Sequence, residues 1–142
     1  MPNNLKIIDL EFSTKIRIRY AETDKMGYCY YGNYASFFEV ARVDALRETG
    51  ILYSELEKSG ILLPVTKFEV SFFSPAFYDE LIKIKTKIVE LEGVRIGFEY
   101  QTINQKGKLL NKAYTQLVFV SAANQKPMAI PVEIIEKLTC RK

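Results

Sequence analysis

The chain has 142 residues, 48% of them apolar and 26% charged, which suits a single globular domain over residues 1–142 that buries about 70% of its unfolded surface and excludes disordered and fibrous classes. A net charge of +3 gives no reason to expect a nucleic-acid partner. The N-terminal M-P-N-N-L-K-I-I-D-L lacks the apolar run and cleavage site of a signal peptide, and no stretch approaches membrane-spanning length.

In chain order, Thr14 to Tyr20 reads as a strand, with Ile16, Ile18 and Tyr20 alternating against Lys15, Arg17 and Arg19. A glycine-containing loop follows. The spacing then predicts a helix from Tyr34, with Asn33 as N-cap and Gly50 at the C-cap position. Tyr34, Phe37, Phe38, Ala41 and Ala45 fall on one apolar stripe of it. A shorter helical piece covers Tyr53 to Ser59. Val65 to Phe73 alternates as a strand until Ser74-Pro75 breaks it, since proline cannot donate to a central ladder. Leu81 to Leu91 sets Ile82, Ile84, Thr86 and Ile88 against Lys83, Lys85 and Lys87, and Glu92-Gly93 is a hairpin signal. Val94 to Ile103 and Leu109 to Ser121 are further strands joined by Asn104-Gln105-Lys106-Gly107, and Pro131 to Leu138 forms a short terminal helix.

The order β-α-β-β-β-β leaves one long apolar helix in need of a sheet face to cover it. The expected fold is therefore α+β, a five-stranded antiparallel sheet wrapped around a central helix. Its exposed edge strand favours pairing with a second copy, as a homodimer or homotetramer.

Chemistry is narrowed by what the chain lacks. It contains no histidine, which removes Ser-His-Asp and Cys-His nucleophilic systems and His-ligated zinc. Acid–base work falls to carboxylates, Tyr or Lys. Cys29 and Cys140 lie far apart without metal-ligand spacing and read as free thiols in a reducing, cytoplasmic compartment.

The segment Y-A-E-T-D-K-M-G-Y-C-Y-Y-G-N-Y, Tyr20 to Tyr34, places Asp24 just ahead of the helix start. A carboxylate there can face the helix's free backbone N–H groups, with room between for a polar substrate group. Gly27, Tyr31 and Gly32 lie where such N–H groups could polarise a carbonyl.

This segment, together with the helix F-F-E-V-A-R, closely resembles the hotdog-fold acyl-CoA thioesterases of the 4-hydroxybenzoyl-CoA thioesterase type, and the later strands agree in order and length. The resemblance implies that Asp24 is catalytic and that the Tyr31 N–H at the start of the helix polarises the thioester carbonyl. Many members of the broader group have histidine at the Tyr31 position; a main-chain donor would survive that difference. The implied reaction is hydrolysis of an acyl-CoA to free acid and CoA, with Asp24 as general base or as nucleophile, without metal or cofactor. A thiolate leaves readily, so no strong general acid is needed.

Plainer readings compete with these roles. Asp24 could be a turn-stabilising residue, and Glu22 a solvated loop residue or a partner for Arg19. Asn33 fits a helix cap better than a substrate ligand, though it stays within the substrate-binding set. Tyr28, Tyr30 and Tyr31 either line an acyl pocket or pack the core. Cys29 has no basic partner that would make it a nucleophile. Glu39 and Arg42 are spaced for a helix ion pair. The row Lys83, Lys85, Lys87 reads as a solvated face protecting an edge, with Arg95 and Lys126 as other basic residues that could meet CoA phosphates. Beyond acyl-CoA hydrolysis, the alternatives are an acyl carrier protein (ACP) thioesterase and a non-catalytic acyl-CoA binder on the same fold.

Overall fold

The computed structural model describes residues 4–142; Met1, Pro2 and Asn3, part of the stretch read for a signal peptide, lie outside the described residues. The elements run β1 (Leu5–Ile7), β2 (Phe12–Arg17), α1 (Tyr34–Glu48), α2 (Tyr53–Lys58), β3 (Ile61–Leu62), β4 (Val65–Phe72), β5 (Leu81–Glu92), β6 (Arg95–Ile103), β7 (Leu109–Val118), β8 (Val120–Ser121), α3 (Val132–Leu138) and β9 (Thr139–Arg141). Five strands form one sheet in the order β2-β5-β6-β7-β4, every neighbouring pair antiparallel. This is the α+β arrangement expected from the strand order, and the hotdog layout that the resemblance implied.

Alternation along the strands decides what the sheet does. Ile82, Ile84, Thr86 and Ile88 point inward from β5 and meet Phe98, Tyr100 and Thr102 of β6, all of them buried. Helix α1 packs its stripe on this face against β2 and β5. Ala41 and Ala45 are fully buried and let the helix backbone come close, while Phe38 stacks on Tyr100 with ring centroids 4.6 Å apart. Truncating a fully buried phenylalanine of this kind costs about 3–5 kcal/mol. Gly50, at φ +87°, ends the helix as its spacing predicted.

Four readings change. The first strand stops at Arg17, because the chain turns through Tyr20–Glu22 into a 3-10 turn whose Arg19 N–H donates to Glu22 Oε1 at 2.7 Å. Tyr20 is consequently 77% exposed rather than part of an apolar strand face. The final strand breaks at Phe119, and its last residues leave the main sheet to pair with β3. The lysine row does not guard an edge: β5 lies between β2 and β6, and Lys85 and Lys87 reach Glu11 and Asp9 at 3.7 and 3.6 Å. Strand β4 is an edge, paired only with β7, and it exposes Phe68 and Phe72. The fourth change is an addition, the pairing of β1 with β9, which joins the two ends of the chain.

Candidate active site

The loop between β2 and α1 is built from its own backbone. Asp24 N–H donates to the Tyr28 carbonyl at 2.8 Å, and Gly27 N–H returns to the Asp24 carbonyl at 3.0 Å. Gly27 takes φ +80°, which a side chain would disfavour. Asp24 Oδ1 accepts from Met26 N–H at 2.9 Å and Tyr28 N–H at 3.2 Å. The turn-forming role weighed for this aspartate is therefore real, but it occupies one oxygen only. Among the described residues Oδ2 has no hydrogen-bond donor.

Glu22 carries the loop's other half. It is buried rather than solvated, and its carboxylate holds both Arg19 N–H and the Arg19 guanidinium, the latter at 3.2 Å. Its carbonyl accepts from Tyr30 N–H at 2.7 Å and from Asn33 Nδ2 at 2.8 Å. Asn33 thus ties the loop together; its side chain makes no cap hydrogen bond to α1, contrary to the N-cap reading. A 3-10 turn over Tyr31–Asn33 runs straight into α1, so the free N-terminal end lies at Tyr31. Asn33 N–H closes the first bond, to the Tyr30 carbonyl, at 3.0 Å. Ahead of it, Tyr31 and Gly32 N–H have no helical acceptor. Gly27 N–H, in contrast, is consumed inside the turn.

The loop docks on the segment that follows β4. Cys29 N–H donates to the Ala76 carbonyl at 2.7 Å, and the Tyr28 and Phe77 rings meet edge to face with centroids 5.3 Å apart. Between the two segments lies a cleft of about 330 Å³ that Asp24, Tyr28, Tyr31, Tyr34, Phe72 and Phe73 help to line. Asp24, Tyr28 and Tyr31 therefore share one cleft. Tyr30, exposed, lies outside it with its ring tilted 43° to that of Tyr31, centroids 4.7 Å apart, and covers Gly32, where a Cβ would stand 2.5 Å from Tyr30 Cε2. Sequence reasoning missed Tyr34, which it assigned to the core stripe, and the wall from Phe72 to Ala76; the Ser74-Pro75 break was the signal for the latter.

Electrostatics rules on the other nucleophile. Burial pushes the Cys29 thiol up to about 11, and the neighbouring carboxylates of Glu22 and Asp24 add to the rise. Cys29 is a protonated packing residue at neutral pH. Tyr34 is likewise raised by burial and stays a neutral phenol. Arg42 is buried against Tyr53 and Tyr100, and among the described residues it forms no ion pair with Glu39. No cluster of described residues could hold a metal ion, and no helix among them is long and apolar enough to cross a membrane.

The chain that forms this cleft is similar to known proteins over most of its length. The family model of the thioesterase-like superfamily matches residues 18–138. The chain belongs to that superfamily. This thioesterase is 36% identical over 114 residues to a putative acyl-CoA thioesterase, YneP, of Bacillus subtilis, covering 80% of this chain and 83% of that protein. It is 31% identical over 124 residues to the acyl-CoA thioester hydrolase YbgC of Escherichia coli, covering 87% and 92%. Among solved structures, a DHNA-CoA thioesterase from Staphylococcus aureus superimposes with a TM-score of 0.82 at 40% identity, over 84% of this chain and 80% of that one. The chain is thus an enzyme of thioester hydrolysis with the hotdog fold.

Proposed function

We propose that this thioesterase hydrolyses acyl-CoA to free carboxylic acid and CoA, with Asp24 as the acting carboxylate and the Tyr31 N–H as oxyanion donor. The observation that carries the reading is that Asp24 and Tyr31 wall the same cleft at the free end of the helix. Attack on a thioester builds negative charge on the carbonyl oxygen, and preorganised N–H donors at that point are typically worth several kcal/mol. Gly32 N–H, next in the turn, adds a second donor, and the helix end favours the developing charge.

Two routes use the same atoms. As general base, Asp24 Oδ2 takes a proton from water whose oxygen bonds to the carbonyl carbon; the tetrahedral adduct collapses with cleavage of C–S, and the CoA thiolate leaves and is reprotonated. As nucleophile, Oδ2 bonds to the carbon itself, thiolate leaves, and water opens the resulting mixed anhydride. In both, the two N–H bonds to Oδ1 hold the carboxylate in one orientation. Tyr28 flanks the acyl group, Tyr30 covers Gly32 from outside the cleft, and Gly27 and Asn33 serve substrate binding by shaping the loop.

Strand β4 supports a homodimer as the working unit, with a tetramer as the larger alternative. Phe68, Phe72 and Phe73 are 43%, 48% and 58% exposed along or just beyond an unpaired strand edge, an arrangement that invites a second strand. Antiparallel pairing of two copies of β4 would bring the Phe72 end of one, where the cleft lies, against the Val65 end of the other. The free thiols and the absence of a disulfide among the described residues fit a cytoplasmic enzyme.

The test is release of CoA thiol from short, long and aromatic acyl-CoA substrates. Turnover on at least one class is expected, and none on any class would sink the proposal. Hydrolysis confined to acyl-ACP, and lost on charge reversal of the basic surface, would move the carrier from CoA to ACP.

A further inference from the structure

Lysines on the outer face of the sheet fall into two kinds. Lys85 and Lys87 of β5 are matched by Glu11 and Asp9. Lys83, two residues ahead of Lys85 on the same face, has no carboxylate partner among the described residues. Its neighbour across β2 is Lys15, which has none either. Residues paired in this way have Cβ atoms about 5 Å apart on one face, and like charges so placed are destabilising. Arg17, next along that face of β2, adds a third cation; it donates to the Asp79 carbonyl at 2.8 Å and forms no ion pair among the described residues.

A cavity of about 390 Å³ opens between the two unmatched lysines and the turn that joins β6 to β7. Lys15 and Lys83 line it together with the half-buried Leu81 and Ile103 and with Asn104 and Gln105 of the turn. The turn is closed on itself. Asn104 Oδ1 accepts from Lys106 and Lys108 N–H, and the Asn104 carbonyl from Gly107 N–H, each at 3.0 Å. Gln105 N–H is left without an acceptor among the described residues. No carboxylate side chain of the described residues lines the cavity, and it shares no residue with the Asp24 cleft. Two facing cations, a spare amide N–H and an apolar wall suit a phosphate that carries a flat ring. The anion relieves the repulsion between the lysines, and the wall takes the ring.

We propose that this cavity binds a nucleotide, with its phosphates on Lys15 and Lys83 and its ring against Leu81 and Ile103. Two sources carry that chemistry, a free nucleotide and the nucleotide end of a CoA ester. The first makes the cavity a second ligand site on the face of the sheet turned away from α1; the second makes it part of substrate recognition.

The experiment is calorimetric titration of the full chain with ADP at low ionic strength. It compares wild type, Lys15→Gln combined with Lys83→Gln, and Lys85→Gln, whose charge is already matched. Wild type should bind ADP saturably and adenosine roughly tenfold more weakly; the double variant should lose roughly tenfold in ADP affinity, and Lys85→Gln no more than about twofold. No saturable binding, equal affinity for ADP and adenosine, an unchanged affinity in the double variant, or an equal loss in Lys85→Gln overturns the proposal. Because the double variant also removes the repulsion, it should unfold without ligand at or above the wild-type temperature; a lower temperature would make the lysines structural and refute the role. Two further measurements separate the sources: ADP titration in the presence of a saturating non-hydrolysable CoA thioether, and KM for acyl-CoA against acyl-pantetheine. ADP binding that persists, with KM unchanged in the double variant, upholds the site with a free nucleotide as ligand. Displacement of ADP, with KM raised severalfold for acyl-CoA alone, upholds it with the nucleotide of CoA. The titrations with ADP and adenosine stand whether or not the chain hydrolyses acyl-CoA, so failure of the thioesterase reading leaves them intact.

Discussion

Whether the oxyanion donor is the backbone of Tyr31 or its side chain is decided by replacing Tyr31 with proline. The substitution is unusually well accommodated. Tyr31 opens the 3-10 turn, where a proline fits because its missing N–H has no helical acceptor. Tyr30 has φ −62° and ψ +129°, the extended conformation required of a residue before proline. The first bond of the turn, from Asn33 N–H to the Tyr30 carbonyl, does not involve the lost group. The Tyr31 side chain is 66% exposed, so little core packing is lost. Tyr31→Pro should therefore unfold close to the wild-type temperature while losing the proposed donor. Removal of one such donor typically lowers kcat by 10²–10³, or about 2.7–4 kcal/mol. Tyr31→Ala removes the same ring contacts, with Tyr30 and Phe72, but keeps the N–H, so it should retain most of the activity. The assay is steady-state thiol release on the best acyl-CoA, with thermal unfolding in parallel. Equal turnover in Tyr31→Pro and Tyr31→Ala would refute the main-chain role.

Three further outcomes follow from the structure. Because the Cys29 thiol is raised to about 11 by burial and nearby carboxylates, Cys140, which is exposed, should react first with a thiol reagent at neutral pH, and Cys29→Ala should keep kcat near wild type. The same shift has a stability consequence: the folded state holds the Cys29 proton more tightly than the unfolded chain, so its contribution is complete below about pH 9 and is lost as pH rises toward about 11. Denaturant unfolding of wild type across that window should fall more steeply than that of Cys29→Ala, in which the buried tyrosines still titrate, and parallel curves would contradict the assignment. For the edge strand, Phe68→Lys combined with Phe72→Lys should convert the assembly to monomers in light scattering, because charges on an exposed edge oppose strand pairing; an unchanged mass would exclude β4 as the interface.

Legibility in the sequence followed the range of the interactions involved. Helix α1 and strands β4 to β7 were readable because each repeats its period for several turns or alternations, and their turns are marked by Gly93 and Gly107 at positive φ. The pairing of β1 with β9 was not readable, since three residues at each end carry no period and their contact spans nearly the whole chain. The loop from Tyr20 to Tyr34 was legible in composition but not in bonding. Gly27 and Tyr31 look alike as N–H donors, and only the fold reveals that the first is consumed by the Asp24 carbonyl. Asn33 has the composition of a cap, yet the loop's curvature gives it the Glu22 carbonyl instead. Glu22 reads as solvated or as a partner for Arg19, and the turn makes it the second, buried beside the guanidinium. Arg42 and Asn111 sit in patterns that say surface charge and strand polarity, and their burial arises only when α1 closes on the sheet.

In both proposed routes Asp24 supplies the reacting carboxylate. Asp24→Asn tests it most directly, because the amide oxygen can still accept from Met26 and Tyr28 N–H and so preserve the loop. Thiol release from acyl-CoA should fall by roughly 10²–10⁴ in kcat, the range of a lost general base, while binding of a non-hydrolysable acyl-CoA thioether stays within a few-fold of wild type. Undiminished turnover in Asp24→Asn would contradict the account.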